Sequence, residues 1–261
     1  MIARIEPVTQ GTIRFDGDTI DSLAGEQLRL LGQKMQIIFQ EPLTSFSPRM
    51  KIGTFLQEPF INYNNLSKKE ASNKAAQLLE SVELPVDYIN RYPHQLSGGE
   101  QQRVVIARAI ALNPLLLICD EPSSALDVSI QKRVLDMLDN MRRKNNIAML
   151  FISHDLALVS AYCDWIVVMY LGHILESAPA KTFSREAEHP YTQMLLQSVF
   201  HMSKEQGEPI PLLEGEPPSP TIITHGCPFS SRCSYTEERC IHVTPALHEI
   251  TPGHMVACHL R

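Results

Sequence analysis

The chain has 261 residues, a formal net charge of -6 and 44% hydrophobic residues. That length carries one large domain, or a domain with a small appendage, around a real core. The acidic balance gives no electrostatic reason to expect nucleic acid as a partner, no apolar run reaches the roughly 18 residues that cross a bilayer, and MIARIEPVTQG is too short and interrupted for a secretory signal.

In chain order, GTIRFDGDTI (11–20) alternates around a Gly-Asp turn and predicts a strand pair. QIIF (36–39) predicts a short strand. SKKEASNKAAQLLESVE (67–83) has helical spacing, with Ala71, Ala75, Leu78, Leu79 and Val82 on one side. LLLIC (115–119) is uniformly apolar, the pattern of a strand covered on both faces in a parallel sheet. Asp127 is placed to cap a helix whose stripe is Ile130, Val134, Leu138 and Met141. IAMLFI (147–152) and DWIVVM (164–169) predict two more buried strands, and strand–helix–strand alternation implies an α/β core. After about residue 200 the composition shifts: GEPIPLLEGEPPSP (207–220) is too rich in Pro and Gly for regular structure.

Four features carry chemistry. Ser97-Gly98-Gly99-Glu100 is a capping box that opens a helix, and its two glycines uncover backbone N–H groups at the positive end of the helix dipole, a setting suited to a phosphate. Asp120 and Glu121 stand at the C-terminal end of an apolar strand, where open α/β sheets bind ligands. Asp120 can reach a Mg²⁺ and Glu121 can deprotonate a water. His154 ends a second buried strand, and Gln40 ends QIIF. Each feature alone also suits an ordinary cap, strand end or turn.

Taken in order, IIFQEP, LSGGEQQR, LLLICDEP, SALD and FISHD resemble the ATP-binding cassette (ABC) ATPases over most of residues 11–172. The resemblance implies an α/β, P-loop NTPase core with a helical subdomain at about 42–112. It makes Gln40 the Q-loop glutamine, with a share in Mg²⁺, and Leu96–Gln101 the signature loop, so that Ser97, Gly98, Gly99, Glu100 and Gln101 meet ATP. Asp120 becomes the Mg²⁺-binding Walker B aspartate, Glu121 the catalytic base, Ser124–Asp127 the D-loop with Asp127 at the nucleotide, and His154 the switch histidine. Two such domains pair head to tail in that family, the signature loop of one closing over ATP held by the other.

Each family member also has a phosphate loop, G-x-x-x-x-G-K-[ST], and here no glycine is followed by lysine. A chain that begins inside the domain is expected over a decayed ATPase, because Glu121 and His154 are intact. The phosphate-loop strand of that fold would lie between the strand before His154 and the strand at 164–169, so both strands are expected to show open edges.

EPLTSFSPRMKIGTFLQEPF (41–60), YPHQLSGG (92–99), HPYTQMLLQSV (189–199) and the tail with LLEGEPPSP and CPFSSRC resemble the ATPase subunits of oligopeptide and dipeptide importers, a group that includes nickel importers. This implies residues 1–202 as the ATPase domain without Walker A and 203–261 as the group's C-terminal extension. It implies ATP hydrolysis coupled to peptide import, with transmembrane permease subunits, a second ABC ATPase subunit and, indirectly, a peptide-binding protein as partners, on the cytoplasmic face of the inner membrane. A chain that offers only its signature loop to another ATPase is the alternative. Cys227, Cys233, Cys240 and Cys258 follow neither a zinc-ribbon nor a ferredoxin spacing. Their number suits an iron–sulfur cluster or zinc; the resemblance ranks a 4Fe–4S cluster first, zinc second and free thiols third. The repair and chromosome-maintenance ATPases share LSGGE, but Gln40 and Ser97 are too close in sequence for their coiled-coil insertions.

Overall fold

The computed structural model describes residues 1–123, 126–201 and 225–261. They form two compact units, Met1–Ile152 and Ser153–Arg261.

The first unit opens on a hairpin of β1 (Arg14–Phe15) and β2 (Asp18–Thr19). Asp16 and Gly17 join them with φ of 52° and 86°, the left-handed pair that a tight hairpin turn requires. Helix α1 (Gly25–Lys34) follows; it buries only Leu31, which explains why its periodicity is faint in the sequence. Strands β3 (Met35–Ile38), β4 (Leu116–Asp120) and β5 (Ala148–Ile152) make a parallel sheet in that order, with Ile38 beside Cys119 and Asp120 beside Ile152. Parallel pairing puts the C-terminal ends of all three at one edge, as the α/β expectation required. Ile20, Leu31, Met35 and Ile118 join the hairpin, α1 and sheet in one apolar cluster.

The same unit carries three helices between β3 and β4. They are α2 (Ile52–Asn64), α3 (Lys68–Ser81) and α4 (Gly98–Ile110). Helix α3 buries Ala71, Ala75 and Leu79, with Val82 buried at its C-cap, along the predicted face. Near the start of α2, Gly53 lies against the turn Val86–Asn90 so closely that a Cβ would stand 2.7 Å from the Ile89 carbonyl oxygen. Helix α5 (Val128–Asn145) buries Val134, Leu138 and Met141 as its stripe predicts, while Ile130 stays partly exposed. Asp127 occupies the cap position but makes no side-chain cap bond; the helix starts instead through its carbonyl, which accepts from Ile130 and Gln131.

The second unit is built on an antiparallel sheet. Strands β6 (Trp165–Tyr170), β7 (His173–Pro179), β8 (His248–Thr251) and β9 (His254–Val256) lie in the order β6-β7-β9-β8. Helices α6 (Leu156–Tyr162), α7 (Ala180–Glu186), α8 (Pro190–His201) and α9 (Glu238–His242) complete it. Because β9 pairs with β7, the segment 225–261 belongs to the same compact unit as residues 153–201. The two compact units divide at 152/153. The segment 207–220 lies outside the described residues.

Two strands differ from the expectation of full burial. β5 leaves Leu150 and Ile152 exposed, and β6 alternates, with Trp165, Val167 and Met169 outward and Ile166, Val168 and Tyr170 inward. Both are the outer strands of their sheets. An all-apolar run hides the period-two signal that would have told one-sided from two-sided burial.

Candidate functional site

At the C-terminal edge of the parallel sheet, β4 delivers Asp120 and then Glu121, and β3 leads to Gln40 two residues on. Gln40 Nε2 donates to Glu121 Oε2 at 3.0 Å. Glu121 has φ of 45°, in the left-handed region, which costs a non-glycine residue about 1–3 kcal/mol. Its N–H donates to the Ile152 carbonyl at 3.0 Å, so β5 holds the strained residue in place. Sequence reasoning found Glu121 but not this strain; an Asp-Glu-Pro string is equally compatible with an ordinary turn. Two carboxylates and an amide oxygen at one edge are hard donors of the kind Mg²⁺ takes.

The loop at the start of α4 is built around Glu100. Its Oε2 accepts from the Ser97 N–H and from the Ser97 hydroxyl, both at 2.8 Å. Its Oε1 accepts from the Tyr88 hydroxyl at 2.7 Å. The Tyr88 hydrogen bond leads the causes that hold the Glu100 carboxyl below the usual carboxylate range, with Ser97 and Arg103 adding to it against partial burial. Ser97 and Gly98 face solvent, where a second molecule can approach them. Gly99 is buried, and a Cβ there would stand 2.7 Å from Ile130 Cγ2. Gly98 thus keeps the helix mouth open, and Gly99 lets α5 pack against it. Gln101 is turned inward: it is buried, and its Nε2 donates to the Pro93 and Leu96 carbonyls at 3.0 and 3.1 Å. Through these two bonds it clamps the loop from behind. Tyr88, nine residues before Ser97, escaped the sequence reading because a tyrosine in a turn has no periodic signature.

His154 belongs to the second unit, two residues beyond the end of β5. It is exposed and precedes Asp155, whose carboxylate caps α6 by accepting from Leu158 at 3.0 Å. Asp127 is exposed, and Ser124 lies outside the described residues.

Cys227, Cys233, Cys240 and Cys258 line one apolar pocket with His189 and Phe229. The Cys227 N–H donates to the Cys240 carbonyl at 2.7 Å. Burial first, then the proximity of the other three thiols, pushes the Cys227 thiol up; burial does the same at Cys258. No three His, Cys, Asp or Glu side chains among the described residues are grouped to hold a metal ion. Beside the pocket, Glu176 is fully buried and accepts from the Glu188 N–H at 2.7 Å, the His189 N–H at 3.1 Å and His254 Nε2 at 2.7 Å. Burial lowers the pKa of His189 to about 4 against the opposing pull of Glu176. No helix of the described residues is long and apolar enough to cross a membrane.

A parallel sheet with a carboxylate pair at its C-terminal edge, joined to a helical layer with a solvent-facing glycine cap, is the build of a nucleotide-handling cassette. The ABC transporter family model matches residues 1–124, and the model for the C-terminal region of oligopeptide/dipeptide transporters matches residues 175–240. The oligopeptide transport ATP-binding protein AppF of Bacillus subtilis is 41% identical over 98% of this chain and 79% of its own length. The di/tripeptide transport ATP-binding protein DppF of Pseudomonas aeruginosa is 39% identical over 98% of this chain and 79% of its own. A solved dimeric ATP-binding cassette, MJ0796, bound to ADP and Pi, superposes with a TM-score of 0.62 at 25% identity, over 69% of this chain and 77% of that one. The chain belongs to the ABC transporter family of ATP-hydrolysing subunits, in the group that carries the oligopeptide/dipeptide transporter C-terminal region.

Proposed function

We propose that this chain is the energy-coupling subunit of a peptide-importing ABC transporter. The observation that carries the reading is the Gln40–Glu121 hydrogen bond at the sheet edge, in a unit that also holds the Ser97 loop open to solvent. The relatives' names, AppF and DppF, supply the transported class: oligopeptides and di/tripeptides.

In this reading the chain pairs head to tail with a second ABC ATPase subunit; the solved cassette it resembles is dimeric. Ser97 and the N–H groups at the mouth of α4 close over the γ-phosphate of ATP bound by the partner. Asp120 and Gln40 would hold Mg²⁺, which neutralises phosphate charge when bound. Glu121 takes a proton from the attacking water, whose oxygen bonds to the γ-phosphorus as the bond to the ADP oxygen breaks; a general base of this kind contributes about 10²–10⁴ in rate. His154 donates to the γ-phosphate and fixes the line of attack, and Asp127 borders the nucleotide. The segment from Gln40 to Ile52 carries the closing motion to permease subunits, which place the chain peripherally on the cytoplasmic face of the inner membrane.

The test is Glu121→Gln in the assembled importer, read by equilibrium ATP binding and by phosphate release. ATP binding within twofold of wild type with phosphate release down at least a hundredfold is expected; undiminished release removes Glu121 from the role of base. The solvent-facing Ser97 and Gly98 also allow a second reading, in which the chain lends only its signature loop. That reading is right if the isolated wild-type chain binds no ATP in the same dialysis, yet restores hydrolysis to a complete partner.

The same group membership supports a 4Fe–4S cluster on Cys227, Cys233, Cys240 and Cys258. Four free thiols around one apolar pocket are the donor chemistry such a cluster uses. Zinc on the same four thiols is the second assignment. Anaerobically purified protein should contain about four irons and absorb broadly in the visible; colourless, iron-free protein overturns the assignment.

A further inference from the structure

We infer that Tyr88 is the positioning residue that sets the Ser97 hydroxyl for the phosphate, acting through Glu100. The inference rests on the reading that the Ser97 loop meets nucleotide.

The Ser97 hydroxyl donates its proton to Glu100. To donate to a phosphate it must turn away, so its readiness depends on where the Glu100 carboxylate is held. A carboxylate has only acceptor positions, so three donors can converge on it without conflict. Two of those donors come from Ser97 itself and the third is the Tyr88 hydroxyl. Among the described residues, Tyr88 is therefore the one hydrogen-bond donor to Glu100 that lies outside the loop, and it fixes Oε1 while Oε2 serves Ser97.

Tyr88 is itself tied down. Its ring is buried, and the Arg91 guanidinium lies 3.7 Å from its centroid. Its turn is bound to the first residues of α2: the Ile52 N–H donates to the Arg91 carbonyl at 2.9 Å, and Gly53 meets Ile89 with no room for a Cβ. Residues 41–51 lead from Gln40 directly into those first residues of α2. A shift at the start of α2 therefore moves the turn, the tyrosine hydroxyl, the Glu100 carboxylate and the Ser97 hydroxyl in sequence. All these contacts lie within one compact unit, so the linkage needs no rearrangement between units.

The experiment is steady-state ATP hydrolysis by the assembled importer carrying Tyr88→Phe, Ser97→Ala, Glu100→Ala or Tyr88→Phe with Glu100→Ala. Tyr88→Phe keeps the ring and its packing and removes one charged hydrogen bond, so KM for ATP should rise about tenfold with kcat within twofold. In the Glu100→Ala background the same change should add less than a twofold rise, because the route through Glu100 is gone. KM within twofold of wild type for Tyr88→Phe, or an equal rise in both backgrounds, overturns the proposal. An unshifted thermal melt for Tyr88→Phe excludes simple loss of packing; a lowered melt with kcat and KM both changed assigns Tyr88 to packing and overturns it as well. If Ser97→Ala leaves KM unchanged, the loop does not meet nucleotide and the underlying reading falls; if Ser97→Ala raises KM and Tyr88→Phe does not, only the role of Tyr88 falls.

Discussion

Glu100 and Glu176 are the same device in two settings. Each carboxylate gathers three donors: Ser97 N–H, Ser97 hydroxyl and Tyr88 hydroxyl on Glu100, and the Glu188 N–H, His189 N–H and His254 imidazole on Glu176. Glu100 sits half-buried beside a solvent-facing serine, whereas Glu176 has no exposed surface. Around Glu100 the donors can turn to water when the carboxylate is lost. Around Glu176 they cannot. The first arrangement orients a loop that has to rearrange; the second fastens α8's entry and the C-terminal hairpin to β7.

The largest effect that separates them is on stability. Glu176→Ala leaves an imidazole and two backbone N–H groups buried without their acceptor, a loss of about 3–5 kcal/mol. Glu100→Ala should cost roughly 1 kcal/mol, the value of a helix cap. Urea unfolding is followed by far-ultraviolet circular dichroism, which reports both units, and by the fluorescence of Trp165, the sole tryptophan, whose Nε1 donates to Ser177 beside Glu176 at 2.6 Å. A midpoint for Glu176→Ala as close to wild type as that of Glu100→Ala would show that the buried cluster is satisfied by water and that burial does not distinguish the two carboxylates.

The contrast also explains what the sequence reveals. The Ser97 loop lies within four consecutive residues, and β4 is a contiguous apolar run, so both are read from local pattern. The partners of Glu176 are 12, 13 and 78 residues away, and nothing in the spacing of a glutamate and a distant histidine announces that they meet. The same limit hid the pairing of β9 with β7. Inside the loop, pattern identified Gln101 but not its direction: burial against the Pro93 and Leu96 carbonyls decides that. Likewise it named Gly98 and Gly99 alike, although one faces solvent and the other makes room for Ile130.

The smallest effect sharpens the comparison most, because it holds the Ser-x-x-Glu pattern constant. Ser67 and Glu70 repeat the Ser-x-x-Glu pattern at the start of α3, with the Ser67 N–H and hydroxyl donating to Glu70 at 3.0 and 2.6 Å. Lysines follow Ser67 where glycines follow Ser97. Among the described residues, Glu70 takes its hydrogen bonds from Ser67 alone, with no counterpart of Tyr88. Ser67→Ala should therefore cost about 1 kcal/mol of stability and leave KM for ATP within error. Ser97→Ala should lower stability by a similar amount but raise KM. Both serines donate their N–H and hydroxyl to the glutamate three residues on, so a difference in KM between the variants points to what surrounds the cap: an open glycine mouth and a carboxylate anchored from outside. Equal KM shifts for the two would mean that a capped helix start is all the loop contributes, and that neither the glycines nor Tyr88 set it apart.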